Sequence, residues 1–187
     1  MPSIKREQLV QTALQLFTKY GFHAVGIDRI IKESNVAKKT LYNHFKSKDE
    51  LILAVLRHQD QLFRNHFMRA VESSSESPQE RLLAVFDVAE AWFNDNDFYG
   101  CLFVGASSEF PDLDTPIRNV CKDFKRLMQE YIEQLSKLVG AKHPGQLASQ
   151  LVLLLEGAIS IAQINDSSIS AQHAKQAAKI LISNSTA

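Results

Sequence analysis

The sequence predicts an all-α protein with about nine helices. Apolar residues recur at spacings of three and four along most of the chain, and no stretch shows sustained alternation of apolar and polar residues. Of the 187 residues, 45% are hydrophobic, which is enough for a substantial core. Only 7 glycines and 5 prolines are present, and with short polar clusters they mark the ends of the predicted helices.

The first two helices are predicted from apolar spacing and from their boundaries. The first spans about residues 4–20 and ends at Gly21, a typical helix breaker. The second spans residues 27–34, with Gly26 as its N-cap. Each has one apolar side, formed in the first helix by Val10, Ala13, Leu14 and Phe17 and in the second by Ile27, Ile30 and Ile31.

A third helix is predicted over residues 38–44, because Leu41 and Phe45 lie four apart and face inward together. Residues 35–37 separate it from the second helix. Asparagine, present at position 35, tolerates the left-handed backbone that a tight turn needs, and Val36 can fill the space between the helices. A helix, a turn of three to four residues and a second helix form a helix-turn-helix.

The outer side of this third helix is rich in hydrogen-bonding groups. It carries Lys38, Lys39, Thr40, Tyr42, Asn43 and His44. Such a surface suits a helix inserted into the major groove of DNA, where base edges and phosphates need donors and acceptors. An ordinary solvated helix is the alternative, and these seven residues alone would favour it. The two preceding helices favour DNA binding, because together the three form a complete DNA-binding head.

Several segments, in this order and at these separations, resemble the DNA-binding domain of the tetracycline-repressor (TetR) family of bacterial transcriptional regulators. They are Ala13–Phe17 (ALQLF), Tyr20–Phe22 (YGF), Ile27–Ile30 (IDRI), Leu41–Phe45 (LYNHF) and Lys48–Leu51 (KDEL). The resemblance implies a DNA-binding domain over residues 1–47 and a ligand-binding and dimerisation domain over residues 48–187. A helix over residues 48–71 would connect them. It also implies a small-molecule effector, and repression as the common output.

The resemblance also suggests roles for individual residues. Thr40, Tyr42 and His44 match positions that contact the sugar-phosphate backbone or base edges, and Lys48 matches a position that holds a phosphate. The predicted function is therefore a repressor that leaves a palindromic operator when a small hydrophobic effector binds.

Base contacts are predicted for Lys38, Lys39 and Asn43, because lysine can donate to guanine and asparagine can pair with adenine. Gly26 and Arg29 complete the predicted DNA-binding set. The family often has a hydroxyl residue near Gly26, so a phosphate contact there would have to come from a backbone N–H.

Two departures from the family pattern affect the head. Asp28 is acidic at the start of the second helix, where it could repel a phosphate, accept from a cytosine, or pair with Arg29 or Lys32. Ala37 stands where a serine is usual, and the missing side-chain cap is worth ~1 kcal/mol. The charge distribution still favours DNA: residues 1–60 carry ten basic and six acidic side chains, whereas residues 61–187 carry eleven and fifteen.

Polar and turn-forming residues divide the remaining chain into six predicted helices. A polar stretch at residues 73–78 separates the connecting helix from the next one, and Ser170 is expected to cap the last. The predicted spans are residues 48–71, 78–93, 101–109, 115–140, 146–163 and 170–182.

The last two helices are candidates for a dimer interface. The eighth is apolar around nearly its whole circumference, and the ninth carries small residues that permit close approach. Both could be core helices of one subunit. The resemblance, and the need to present two recognition helices about one DNA turn apart, favour a homodimer. The predicted interface residues are Leu151, Leu154, Gly157, Ala158, Ile161, Ala174, Ala178 and Leu181.

Large apolar side chains on the fifth to seventh helices form the predicted effector site. Such a stripe is more often core than pocket, but the resemblance implies a ligand cavity between these helices. A hydrophobic or aromatic effector would suit it. The predicted ligand-binding residues are Phe86, Trp92, Phe93, Phe103, Phe110, Met128 and Tyr131. Polar groups that could orient a ligand are Glu90, Asn94, Ser107, Glu109 and Gln163.

Other classes of function are disfavoured by what the sequence lacks. No hydrolase, phosphate-binding or metalloprotease motif occurs, so we expect no enzyme, and neither a cofactor nor a metal. No signal peptide is recognisable, and Glu156 interrupts the most apolar segment, so we expect a cytoplasmic protein without a membrane span. A helical adaptor that does not bind DNA remains an alternative.

The two cysteines indicate neither a disulfide framework nor a metal site. Cys101 opens the predicted sixth helix, and a helix N-terminus favours the reactive thiolate form. An electrophile- or oxidant-sensing repressor that uses Cys101 is therefore a second alternative, although a lone cysteine is more often a small buried apolar residue.

Overall fold

The computed structural model describes residues 3–186, and within that range it contains nine α-helices and no strand. The all-α prediction is confirmed. The helices are α1 (Ile4–Tyr20), α2 (Ile27–Ser34), α3 (Lys38–His44), α4 (Lys48–Glu72), α5 (Pro78–Phe93), α6 (Leu102–Glu109), α7 (Pro116–Leu138), α8 (Pro144–Asn165) and α9 (Ile169–Thr186).

The first three helices have the predicted boundaries, because local signals set their ends. The Ser3 hydroxyl accepts from the Arg6 N–H at 3.2 Å and caps α1. Gly21 ends α1 with a φ of 83°. Asn35 adopts the predicted left-handed conformation, with φ 51° and ψ 35°, and Val36 is buried next to it.

The last helices differ from their predicted ends. Helix α8 begins two residues earlier, because Pro144 occupies its first turn, where proline is favoured. Helix α9 runs to Thr186 instead of residue 182. The prediction that Ser170 caps α9 is wrong: Ser170 lies inside the helix, and its buried hydroxyl donates to the Ala158 carbonyl of α8 at 2.8 Å.

The chain forms two compact units. The first contains the residues up to Leu62 together with Cys101–Phe124, so α6 and the first part of α7 belong to the same unit as the helix-turn-helix. Helix α1 packs against α2 and α3 around a core that includes Leu9, Phe17, Phe22, Ile30 and Leu41. Helix α4, predicted to connect two domains, contributes residues to both units.

The second unit contains Phe63–Gly100 and the residues from Lys125 onward. Helix α9 packs against α8 and α5, and α5 also contacts α8. Small residues on the buried side of α9 let the helices approach closely. The core of this unit includes Phe67, Leu82, Phe86, Ile132, Leu151, Leu155, Ala174 and Ala178.

Helix α8 is long and apolar enough to cross a membrane if only its length and composition are considered. It nevertheless carries Glu156, whose carboxylate pairs with the Lys125 ammonium at 2.5 Å. Its buried face packs on α5 and α9. These contacts are those of a helix that packs into a protein core.

Candidate nucleic-acid interface

Helix α3 presents two different sides, as predicted. Leu41 and Phe45 are buried, with 0% and 2% of their surface exposed. The Arg6 guanidinium lies over the Phe45 ring, 5.2 Å from its centre. The opposite side of α3 faces solvent, and its most exposed members are Lys38, Lys39, Tyr42 and Asn43.

Lys38 is held by an acidic partner on the preceding helix. Its ammonium lies 3.0 Å from Asp28 Oδ1, and this hydrogen bond raises the pKa of Lys38. The partner of Asp28 in the structure is thus Lys38, and not Arg29 or Lys32, the two partners that the sequence had offered as one of three alternatives. Both groups of the Asp28–Lys38 pair are largely exposed, so water and salt screen it strongly.

Arg29, a predicted DNA contact, has intramolecular partners in the structure. Its Nε donates to Glu33 Oε1 at 2.8 Å, and its guanidinium lies 4.0 Å from the centre of the Tyr20 ring. The hydrogen bonds to Glu33 and Tyr20 raise the pKa of Arg29, and the contact with Arg29 lowers the pKa of Tyr20. A DNA contact by Arg29 would have to compete with this cluster.

The remaining predicted contacts lie at helix ends. His44 Nε2 lies 3.0 Å from the Ser3 hydroxyl, so the end of α3 is tied to the start of α1. Gly26 caps α2 without a side-chain hydrogen bond, and a Cβ at this position would meet nothing within 4 Å. Thr40 and Lys48 are partly buried.

Sequence reasoning missed a reciprocal cap at the start of α4. The Ser47 hydroxyl accepts from the Glu50 N–H at 3.2 Å, and the Glu50 carboxylate accepts from the Lys46 N–H at 2.7 Å. A serine followed three residues later by glutamate is the sequence signal that could have revealed it. The cap fixes the backbone immediately before Lys48, the predicted phosphate contact.

The predicted ligand-binding residues are divided between the two units. Phe103 and Phe110 belong to the first unit, where Phe103 stacks on Phe124 at 3.8 Å between ring centres. The other five belong to the second unit, where the Trp92 ring meets Phe98 edge-on at 5.0 Å. The residues in the second unit are Phe86, Trp92, Phe93, Met128 and Tyr131.

Tyr131 places a polar hydroxyl in the interior of the second unit. Its hydroxyl is buried and has no hydrogen-bond partner among residues 3–186. Burial, followed by the nearby Glu72 carboxylate, raises the pKa of Tyr131 to about 12, against a smaller opposing effect of Arg81. This phenol therefore stays neutral and able to donate at physiological pH.

The predicted dimerisation residues fall into buried and exposed groups. Leu151, Ala158, Ala174 and Ala178 are buried within the second unit. Gly157 and Ile161 are exposed, while Leu154 and Leu181 are partly buried. The exposed side of α8 also carries Leu153 and Ile164, which are not among the predicted interface residues.

Cys101 lies at the N-cap of α6 and is partly exposed, whereas Cys121 is buried. No group of metal-ligating side chains suited to a metal ion occurs in the described part of the chain.

A helix-turn-helix with a polar, exposed recognition helix defines a DNA-binding protein. Residues 9–55 match the family model of bacterial regulatory proteins of the tetR family, and residues 78–178 match the tetracyclin repressor-like C-terminal domain. This chain belongs to the TetR family of bacterial transcriptional regulators.

Individual relatives agree with this assignment. A TetR-family transcriptional regulator from Streptomyces coelicolor superposes with a TM-score of 0.90 at 28% identity, covering 98% of this chain and 96% of that one. The reduced form of NemR from E. coli superposes with a TM-score of 0.83 at 26% identity, and the match covers 95% of this chain and 96% of that one. The uncharacterized HTH-type transcriptional regulator YxaF of Bacillus subtilis is 27% identical over 86% of this chain and 85% of its own length.

The protein is accordingly a transcriptional regulator with a DNA-binding helix-turn-helix and a ligand-binding C-terminal domain. Members of the family are soluble regulators and not enzymes. They bind DNA operators and small-molecule effectors, they act as dimers, and repression is their typical output.

Proposed function

We propose that this protein is a cytoplasmic homodimeric repressor that leaves a palindromic operator when a small hydrophobic or aromatic molecule binds its C-terminal domain. The observation that carries the proposal is the two-sided helix α3. Its apolar side is locked into the core by Leu41 and Phe45, so its polar side is held outward in a fixed orientation. A rigid display of donors is what major-groove recognition needs.

Within this interface, Lys39, Tyr42 and Asn43 are the principal DNA contacts. They are exposed on α3, and Lys39 and Asn43 have the donors that suit guanine and adenine edges. Lys38 joins them only when it leaves Asp28. Thr40, His44, Lys48 and the N-terminal backbone of α2 at Gly26 would contact sugar and phosphate groups around the edge of the interface.

The exposed apolar side of α8 supports the homodimer. Leu153, Gly157, Ile161 and Ile164 are all exposed and follow one another at spacings of four, four and three, so they form one stripe along the helix. Leu153 and Ile164 expose 74% and 79% of their surfaces. A stripe of this kind on a domain that acts as a dimer suits a second copy of itself, and Gly157 permits close helix crossing there.

The effector site is supported by the aromatic side chains of the second unit and by the Tyr131 hydroxyl. A buried donor without a protein partner is costly, and a polar atom of a ligand would satisfy it. An apolar body with one hydrogen-bond acceptor is therefore the effector chemistry that we propose.

DNA binding can be tested with duplexes taken from the region flanking the protein's own gene. Fluorescence anisotropy would give the operator affinity of the wild type and of the variants Tyr42→Ala, Lys39→Ala and Lys142→Ala. We expect Tyr42→Ala to lose affinity by roughly fivefold to 150-fold, because a base contact is worth about 1–3 kcal/mol. Lys142→Ala, an exposed lysine outside the head, is the matched control and should bind as the wild type does.

The salt dependence of binding separates the proposed regulator from an adaptor that does not bind DNA. A true interface should show a steep log–log decrease of affinity with salt, and Lys39→Ala should reduce that slope by about one if Lys39 contacts a phosphate. If Lys39→Ala instead kept the wild-type salt slope but discriminated less between bases at one operator position, Lys39 would be a base contact. Equal affinities for all four proteins would contradict the proposed interface.

A further inference from the structure

The last residue of α6, Glu109, is bonded to the loop between α1 and α2. Glu109 Oε1 accepts from the Phe22 N–H at 2.8 Å, and Oε2 accepts from the His23 N–H at 2.6 Å. The His23 ring adds a third contact, with Nδ1 at 2.8 Å from Oε2. One carboxylate thus binds two consecutive backbone amides that lie 86 and 87 residues away in sequence.

The loop backbone is shaped to admit this carboxylate. A Cβ on Gly21 would lie 2.9 Å from Glu109 Oε1, closer than real Cβ contacts, and the φ of 83° at Gly21 is itself one that favours glycine. Phe110, the next residue after Glu109, meets the Phe22 ring edge-on with the ring centres 5.9 Å apart. It also packs against the His23 ring in a tilted arrangement, with the ring centres 4.9 Å apart. Polar and apolar contacts therefore hold the same two loop residues.

The hydrogen bonds of this contact favour the ionised form of Glu109. Its pKa is lowered: partial burial raises it, but the backbone hydrogen bonds from His23 and Phe22, and then the His23 side chain, outweigh that effect. The ionised carboxylate satisfies two N–H groups that lie beyond the end of α1 and have no helical acceptor. Hydrogen bonds to a charged acceptor are about twice as strong as neutral ones.

The same loop sets the position of the recognition elements. It continues through Val25, which is fully buried, to Gly26, the N-cap of α2. Helix α2 in turn packs against α3 and carries Asp28, the partner of Lys38. Packed side chains therefore connect the loop continuously to α3, the predicted recognition helix.

We propose that Glu109 is a positioning residue that joins the C-terminal domain to the DNA-binding head, by holding the α1–α2 loop in the arrangement that DNA binding requires. Glu109 lies inside the segment that matches the C-terminal family domain, whereas Phe22 and His23 lie inside the segment that matches the DNA-binding domain. This inference rests on the proposed function. It assigns to Glu109 a positioning role, whereas the sequence had made Glu109 one of five polar groups that could orient a ligand.

The test combines amide hydrogen exchange with operator binding in the full-length protein. The variants are Glu109→Ala, Glu109→Gln and the control Ser108→Ala, an exposed neighbour whose hydroxyl donates only to the α6 carbonyl of Val104. In Glu109→Ala we expect the Phe22 and His23 amides to lose their protection and operator affinity to fall roughly fivefold, because the loop must then be ordered on binding. Glu109→Gln keeps one acceptor oxygen, so its amide protection and operator affinity should lie between those of Glu109→Ala and the wild type. Ser108→Ala should match the wild type in both measurements.

Protected Phe22 and His23 amides in Glu109→Ala would overturn the proposed contact. Lost protection with wild-type operator affinity, at a temperature where both proteins are fully folded, would overturn the coupling. If the wild type bound no duplex at all, the proposed function would fail, but the exchange of the α2 and α3 amides in Glu109→Ala would still decide whether Glu109 orders the head.

Discussion

At the scale of single residues, the pair formed by Asp28 and Lys38 sets how much positive charge the recognition helix presents. The Lys38 ammonium can bind either the Asp28 carboxylate, 3.0 Å away, or DNA. Asp28 also places a negative charge at the N-terminus of α2, where it complements the helix dipole but opposes an incoming phosphate. Its presence should weaken binding to every DNA sequence and so favour operators whose specific contacts compensate.

We therefore expect Asp28→Asn to raise affinity for operator and random DNA alike, by roughly threefold, since exposed ion pairs are weak. The log–log salt slope should become steeper by about one because Lys38 becomes available to a phosphate. Anisotropy titrations at several salt concentrations measure both quantities. A loss of operator affinity would instead mean that Asp28 itself contacts a base, as a cytosine amino group would allow.

At the scale of helices, the head was predictable and parts of the body were not. Gly21, Asn35 and Pro78 are local signals whose effect depends on neighbouring residues alone, and the helices that they delimit have the predicted ends. Ser170 was misassigned because its hydroxyl bonds to a carbonyl 12 residues away on another helix. Sequence periodicity contains no information about such a partner.

The candidate site shows the same limit. The inward direction of Leu41 and Phe45 followed from their spacing, and so did the outward direction of Tyr42 and Asn43. The contact between Glu109 and the α1–α2 loop joins residues 86 and 87 apart, so no window of the sequence contains both sides. Long-range polar contacts have to be observed in the folded chain.

Helix α3 is short, and its N-cap can be improved. Ala37 occupies the cap with φ −60° and ψ 144°, an extended conformation that serine adopts readily, and no side chain caps the helix there. Ala37→Ser should therefore stabilise the protein by ~1 kcal/mol. Urea denaturation followed by circular dichroism would measure the change, with Gly26→Ser, expected to add only a few tenths of a kcal/mol, as the matched comparison. An unfolding free energy unchanged in Ala37→Ser would show that α3 is limited by tertiary packing and not by its cap.

At the scale of the whole molecule, the exposed stripe on α8 must be covered if the protein is the proposed dimer. Leu153→Glu places a charge at the N-terminal end of this stripe, and a charge buried without a partner is strongly unfavourable. We expect the dimer dissociation constant to rise at least roughly a hundredfold, with the helix content unchanged. Sedimentation velocity would measure this.

The matched control for Leu153→Glu is Leu138→Glu, an equally drastic change at an exposed leucine at the end of α7. It should leave the dimer intact. If both variants remained dimeric, the subunits would have to join through another surface, and the recognition helices would then need another arrangement on DNA.

In the proposed complex, two copies of α3 occupy successive major grooves of one duplex. Hydroxyl-radical footprinting on the DNA flanking the gene would show whether they do. We expect two protected patches about one helical turn apart, roughly 10 base pairs from centre to centre, both lost in Tyr42→Ala. One isolated patch, or no protection by a folded dimer at low salt on any such duplex, would mean that the two copies of α3 do not bind one operator in this way.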